Sequence, residues 1–395
     1  MLVKDFSSQN STMSPRPVSP DERIFALDVI RGFALFGVLL AYALWNLGSP
    51  GEETYSQAEQ ILNWLLALLI DTKAYTLFAT LFGLGFSIQM IRAESRGINF
   101  VPLYCRRLLV LIMIGLAHAF LLRNGDILVP YAVMGFILLL FRNASNKTLL
   151  AGAIFAILFP YLVKGVWTLT GIPFPERPVT AGLSYLSENA AWVRYWYSTA
   201  LFDWSLSLPM FFFGLYLGRR YILQSTFVNP RKLRLIIIGS LVFGLLVFGF
   251  REWLNRTWGQ TPFSGQAALS PFLWRLHAWG LAAFYASTLL WLLQFRFWQK
   301  MLAPLAAVGR MALTNYLLQA VLIVPVCITF GLFEKVTPGI GLLLALGVWL
   351  IQVPLSVWWF RHFQFGPVEW VWRRLTYGQT QPMRAIEKQP NTVTV

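Results

Sequence analysis

Residues Leu27–Leu47 read LDVIRGFALFGVLLAYALWNL. A helix of this length runs about 31 Å, enough to cross the hydrocarbon core of a bilayer. Asp28 and Arg31 are its only charged residues, and both fall in the first turns. Stretches of the same character recur at Ala74–Ile91, Leu108–Leu122, Ile127–Phe141, Thr148–Thr168, Ser198–Gly218, Leu235–Trp253, Phe272–Leu293, Met311–Phe333 and Ile340–Phe360. The expected fold is therefore all-α, a polytopic transmembrane helix bundle of about ten spans. Composition agrees: 57% of residues are hydrophobic and 12% charged, with a mean hydropathy of +0.58. A soluble domain carries about 25% charged residues, so a water-exposed surface is missing.

The basic residues are sorted by gap. Two alternating sets of gaps hold 21 and 7 Lys plus Arg, and the remaining four, Arg31, Lys73, Lys164 and Arg310, lie in or at the edges of spans. The positive-inside rule then places both termini in the cytoplasm. Residues 1–24 are polar and rich in Pro and Ser, without the apolar core of a signal peptide. They are expected to be a disordered cytoplasmic tail, as are residues 379–395, leaving 25–378 as a single transmembrane helical domain. The net charge of +15 sits mostly in the cytoplasmic gaps, where it meets anionic lipid. The bilayer is the expected partner and nucleic acid is not. Ile61–Ile91 is too long for one straight crossing, so Ile61–Ile70 is read as a surface or half-buried segment. The short turn Arg123-Asn124-Gly125-Asp126 makes the helices on either side antiparallel neighbours.

Charge at membrane depth costs on the order of 2.5–3.5 kcal/mol and needs a partner or a polar cavity. These residues fall into two groups by depth. The inner group holds Asp28 and Arg31, whose i, i+3 spacing puts opposite charges on one helix face. Gly309, Arg310, Thr314, Asn315 and Gln319 lie near the same depth. Asn315 and Gln319 share a face and could hydrogen-bond across helices, and Arg310 could serve as a topological anchor. The outer group holds His118, Arg123, Asn124, Asp126 and Tyr131, together with Asp71, Lys73, Asp203, Arg275 and His277. Histidine can act as a general base near neutral pH, and a carboxylate such as Asp126 or Asp203 could orient it; the structural alternative is that His118 caps the helix end or hydrogen-bonds to a neighbour. No nucleophile elbow, phosphate loop or metal-ligand spacing is present, and no metal or resident cofactor is expected. Cys105 and Cys327 fall on different spans, which argues against a disulfide.

Several motifs resemble one known family. They are Asp28-x-x-Arg31-Gly32, Thr76-Leu77-Phe78 through Phe82-Gly83-x-Gly85, Arg106-Arg107-Leu108, and His118 to Gly125-Asp126-Ile127-Leu128-x-x-Tyr131. Two longer ones follow, Val308-Gly309-Arg310-Met311-Ala312-Leu313-Thr314-Asn315-Tyr316-Leu317-x-Gln319 and Gly366-Pro367-Val368-Glu369-Trp370-x-Trp372-Arg373. On these the chain is identified as a member of the YeiB-like bacterial multi-pass membrane proteins, a domain-of-unknown-function family. It is also distantly similar to membrane-embedded acyltransferases, which share an Arg-Gly element in the first span. That resemblance implies a bacterial inner-membrane protein that moves an acyl group from cytoplasmic acyl-CoA to an external cell-envelope acceptor, with a membrane-embedded histidine in catalysis. On this reading His118 and Asp126 are catalytic, and Asp28, Arg31, Tyr131, Arg310, Asn315 and Gln319 bind substrate. Arg106 and Arg107 would help hold the phosphates of the co-substrate. The alternative is a transporter or permease for a small solute, with Pro209, Pro325 and Pro354 interrupting its spans. A third reading is a structural protein without turnover. A homo-oligomer fits any of the three.

Overall fold

The structure, a computed structural model, describes residues 24–45, 47–170, 175–179, 183–200, 204–221, 229–258, 265–379 and 382–384. Asp203 and almost all of the two tails lie outside the described residues. Fifteen α-helices are described: α1 (Phe25–Trp45), α2 (Gln57–Leu69), α3 (Lys73–Ser95), α4 (Phe100–Leu121), α5 (Leu128–Leu140), α6 (Asn146–Thr170), α7 (Tyr185–Ser198), α8 (Leu208–Tyr221), α9 (Pro230–Trp258), α10 (Gly265–Leu292), α11 (Arg296–Met301), α12 (Ala303–Arg310), α13 (Ala312–Phe330), α14 (Pro338–His362) and α15 (Pro367–Tyr377). Among the described residues there is no strand, only an isolated bridge between Phe363 and Arg384.

Seven helical segments among the described residues are long and apolar enough to cross a membrane. One of the seven is Gln57–Ser95, but Thr72, in the left-handed region at φ 62°, breaks it into α2 and α3. The half of this stretch expected to stay at the surface, α2, starts at a capping box between Ser56 and Glu59 and buries none of its residues. Its Ile61, Trp64, Leu65 and Leu69 remain exposed, which in a membrane protein means facing lipid or its interface. The turn at residues 123–126 joins α4 and α5 as packed neighbours.

The bundle has a buried centre and an apolar exposed rim. In the apolar window of α1, 78% of the residues are buried, against 11% in α9. Helix α1 is therefore the central strut, packed on α3, α12, α13 and α14, while α9 joins the bundle through its hairpin partner α10, which packs on α3 and α1. Backbones approach closely where side chains are missing. A Cβ on Gly32 would collide with the Leu305 carbonyl, and one on Gly309 with the Asp28 carbonyl. In the same way Gly83 meets Phe211 and Gly214 meets Thr80, which locks α3 against α8. Such small-residue contacts replace the hydrophobic drive that lipid does not supply.

Gly309→Val is expected to force α1 and α12 apart and to cost about 1–3 kcal/mol. Gly239→Val and Gly347→Val, whose added Cβ would meet no atom within 4 Å, should be nearly silent. Thermal unfolding of the purified protein in one detergent compares the three.

Candidate functional site

One cavity of about 320 Å³ lies between α1, α3, α4, α5, α12, α13 and α15. Its wall follows α3 from Phe78 to Arg92, a rise of about 21 Å along the helix. The two ends differ in chemistry. One end carries Arg31, Arg92, Arg107, Arg310 and Arg373, with Asp28 and Glu369 as acidic groups. The other is closed by Phe78, Phe82, Ile127, Leu128, Tyr131 and Tyr316. A long, narrow, mostly apolar space with a cationic mouth suits an anionic ligand with an extended tail.

The mouth is built from five helices, with Arg92 coming from α3 and Arg107 from α4. On α1, Arg31 Nη1 donates to Asp28 Oδ1 at 2.8 Å, an i, i+3 pair with the Arg31 side chain 32% exposed. The end of α12 supplies Arg310, whose guanidinium lies over the Phe360 ring at 3.8 Å. Helix α15 closes the remaining side. Its Trp372 indole donates to the Arg107 carbonyl at 2.9 Å, and the Arg107 guanidinium stacks on that ring at 3.7 Å. Glu369 fixes α15 in place: its carboxylate accepts from Leu313 N at 2.7 Å, Thr314 N at 3.1 Å and the Thr314 hydroxyl at 2.5 Å. A carboxylate on the first amides of α13 satisfies unpaired donors and complements the helix dipole. Burial pushes the Glu369 carboxyl up from its ordinary range, and the bonds from Thr314 and Leu313 pull it back.

His118 and Asp126 stand behind the closed end, just off the cavity wall. His118 Nδ1 lies 3.1 Å from Asp126 Oδ1, with side chains 3% and 4% exposed. Asp126 Oδ2 accepts from Val129 N at 2.9 Å, at the start of α5. Tyr316, which does line the cavity, donates to Asp126 Oδ1 at 3.5 Å, accepts from Ile127 N at 3.2 Å and packs its ring 5.0 Å from His118. A carboxylate on Nδ1 favours the tautomer that leaves Nε2 as an acceptor. The pair then has the chemistry of an oriented base, with Tyr316 between it and the cavity.

The remaining candidates separate. Tyr131 lines the cavity and gives its hydroxyl to the Tyr75 carbonyl at 2.9 Å. Asn315 and Gln319 lie outside the wall and tie α13 to its neighbours. Asn315 Nδ2 donates to Val308 O at 3.2 Å and Ser356 Oγ at 3.0 Å; Gln319 Nε2 donates to Gln352 Oε1 at 3.4 Å; and Gln352 Nε2 donates to Asn315 O at 2.7 Å. Arg106 does not reach the cavity, whereas Arg107 does. A different region gathers Asp71, Lys73 and His277. There Trp274 donates to Asp71 at 3.0 Å, Lys73 donates to Ala67 O at 2.8 Å, and the His277 ring nitrogens face Gly244 O and Leu68 O. Among the described residues no group of three potential metal ligands occurs. The residue pattern gave no role to Arg92, a topological marker in a basic gap, or to Tyr316, which stands in the Val308–Gln319 motif beside Asn315. Glu369, Trp372 and Arg373 stood inside a quoted motif with no role attached, which was the available signal.

The fold and the cavity define a helical membrane protein with a basic-mouthed internal cleft. The chain belongs to the YeiB-like family: residues 217–379 match the family described as a protein of unknown function, DUF418. It is 32% identical to the uncharacterized protein YxaH of Bacillus subtilis (strain 168), over 94% of this chain and 98% of that one. An uncharacterized 39.9 kDa protein in the amylase 3′ region of Bacillus acidopullulyticus is also 32% identical, over 93% and 97%. The uncharacterized protein YeiB of Escherichia coli (strain K12) is 30% identical, over 93% and 99%.

The two motif glycines on α3 differ in kind. Gly83 is a packing contact, but a Cβ on Gly85, which lines the cavity, would meet nothing nearer than Gln89 Nε2 at 3.9 Å. Gly85→Leu is expected to fill the bore while keeping or slightly raising stability, since glycine costs a helix about 1 kcal/mol. Thermal unfolding, together with loss of binding of a fluorescent long-chain fatty-acid probe, tests this.

Proposed function

We propose that this protein is a transmembrane acyltransferase of the bacterial inner membrane, moving an acyl group from cytoplasmic acyl-CoA to a cell-envelope acceptor on the other side. The topology belonging to this reading has ten crossings, α1, α3, α4, α5, α6, α8, α9, α10, α13 and α14, with both termini cytoplasmic. One observation carries it: a single cavity leads from five arginines to the tyrosine that touches the His118–Asp126 pair. Arg31, Arg107 and Arg310 would hold the phosphates of the co-substrate through charge-assisted bonds. Its thin pantetheine arm would run along the cavity toward Tyr316. His118, oriented by Asp126, would take the proton of the acceptor hydroxyl or amine as that atom attacks the thioester carbonyl, then pass it to the departing thiolate.

Wild-type protein is expected to bind acyl-CoA, and Arg31→Gln combined with Arg310→Gln to weaken that binding at least about tenfold. His118→Ala should leave binding intact and lower acyl transfer by about 10²–10⁴. Isothermal titration and a comparison of envelope acylation in deletion and complemented strains measure both. Protein that binds no acyl-CoA, in a strain that loses no acylation, ends this reading. Proteoliposome solute flux that survives His118→Ala would put the transporter in its place.

A further inference from the structure

At the end of the bundle away from the arginine mouth, the turn after α4 buries another cation. Arg123 is 9% exposed and its backbone N–H is taken by His118 O at 2.9 Å. Its guanidinium lies 5.6 Å from the Phe333 ring centroid, and its Nε is buried without a hydrogen-bond partner. No carboxylate among the described residues lies within ion-pair distance of it. The carboxylate nearest in sequence, Asp126, is already engaged by His118 and Val129. A second buried polar atom without a partner is the hydroxyl of Tyr42, a residue 7% exposed. Tyr42 and Cys327 belong to the packed cluster that also takes in Leu122 and Phe333, and the Tyr185 ring lies 6.2 Å from that of Phe333, so α1, α7 and α13 converge on the turn. Helix α7 is held against it by the Tyr185 hydroxyl, which donates to Leu122 O, and by Asn189, which accepts from Asn124 at 3.1 Å.

A buried guanidinium without a counter-charge is strongly unfavourable, and more so at membrane depth. Here the same place also holds a hydroxyl with an unspent proton. One bound oxyanion would satisfy both, because a guanidinium fork matches the geometry of carboxylate and phosphate. We propose that Arg123 and Tyr42 form a binding site for the carboxylate or phosphate group of a ligand at the end of the bundle opposite the arginine mouth. The anion accepts from the guanidinium and from the Tyr42 hydroxyl, and α7 covers it. Its source is either the headgroup of an acidic phospholipid or a small soluble anion. The site stands apart from the acyl-transfer reading, since binding there involves no thioester.

The test uses the full chain in phosphatidylcholine nanodiscs, with unfolding temperature followed at constant ionic strength as sodium phosphate or sodium acetate replaces chloride. Wild-type protein is expected to gain stability with one or both anions, or on exchange of the lipid for phosphatidylglycerol; the first points to a soluble anion, the second to a headgroup. Arg123→Gln should weaken the response at least about tenfold in apparent affinity. The difference between wild type and Arg123→Gln should persist when Arg31→Gln and Arg310→Gln are added to both, because phosphate held at the mouth does not depend on Arg123. If Arg123→Gln does not fold, Tyr42→Phe must weaken the response and Arg123→Lys retain part of it. A response equal in wild type and Arg123→Gln (or Tyr42→Phe), or none with phosphate, acetate or phosphatidylglycerol, overturns the proposal.

Discussion

The backbone contact between α1 and α12 is the constraint on which the cavity depends. Gly32 and Gly309 let the two helices meet carbonyl to Cα, closer than any side chain would permit. That approach brings the Asp28–Arg31 pair and Arg310, far apart in the chain, to one rim. It also makes α1 the buried strut of the bundle, so α3 and α13 must pack around it and leave the cleft between them. Lipid is as apolar as the helix surfaces it touches, so shape and backbone approach do work that water exclusion does in a soluble core.

The second organising contact is Glu369 on the amino end of α13. A short amphipathic helix has no reason of its own to stay against the bundle, and a carboxylate bonded to two amides and a hydroxyl supplies one. Through Trp372 and Arg373, the docked α15 becomes a wall of the cavity. The mouth is thereby assembled from the first third and the last quarter of the chain. Its opposite end is assembled just as indirectly, with Tyr316 of α13 reaching the turn between α4 and α5.

Much of the fold was legible from residue order. Apolar run length marked the helices, the four-residue turn paired α4 with α5, and the excess length of Ile61–Ile91 foretold the break at Thr72. At the site, the Asp28–Arg31 pair followed from helical spacing, while Asp126 was one of two carboxylates, with Asp203, that could have faced His118. Asn315 and Gln319 were visible as polar groups needing partners, and cross-helix bonding was one use foreseen for them. Their partners Gln352 and Ser356 lie on α14, and no local pattern distinguishes that use from contact with a ligand. Gly83 and Gly85 are two residues apart in one motif, yet one is filled by a neighbouring carbonyl and the other opens onto the cavity.

The residue sequence by itself determined that this chain is a bundle of apolar helices, and which polar residues the bundle has to accommodate. Hydropathy and helical spacing are local, and a few turns of chain suffice to express them. Only the tertiary structure decided which of those polar residues meet. That depends on the rotation of each helix about its axis and on its choice of neighbour. Both are set by contacts between residues hundreds of positions apart, such as Arg107 with Trp372 and Tyr316 with Asp126.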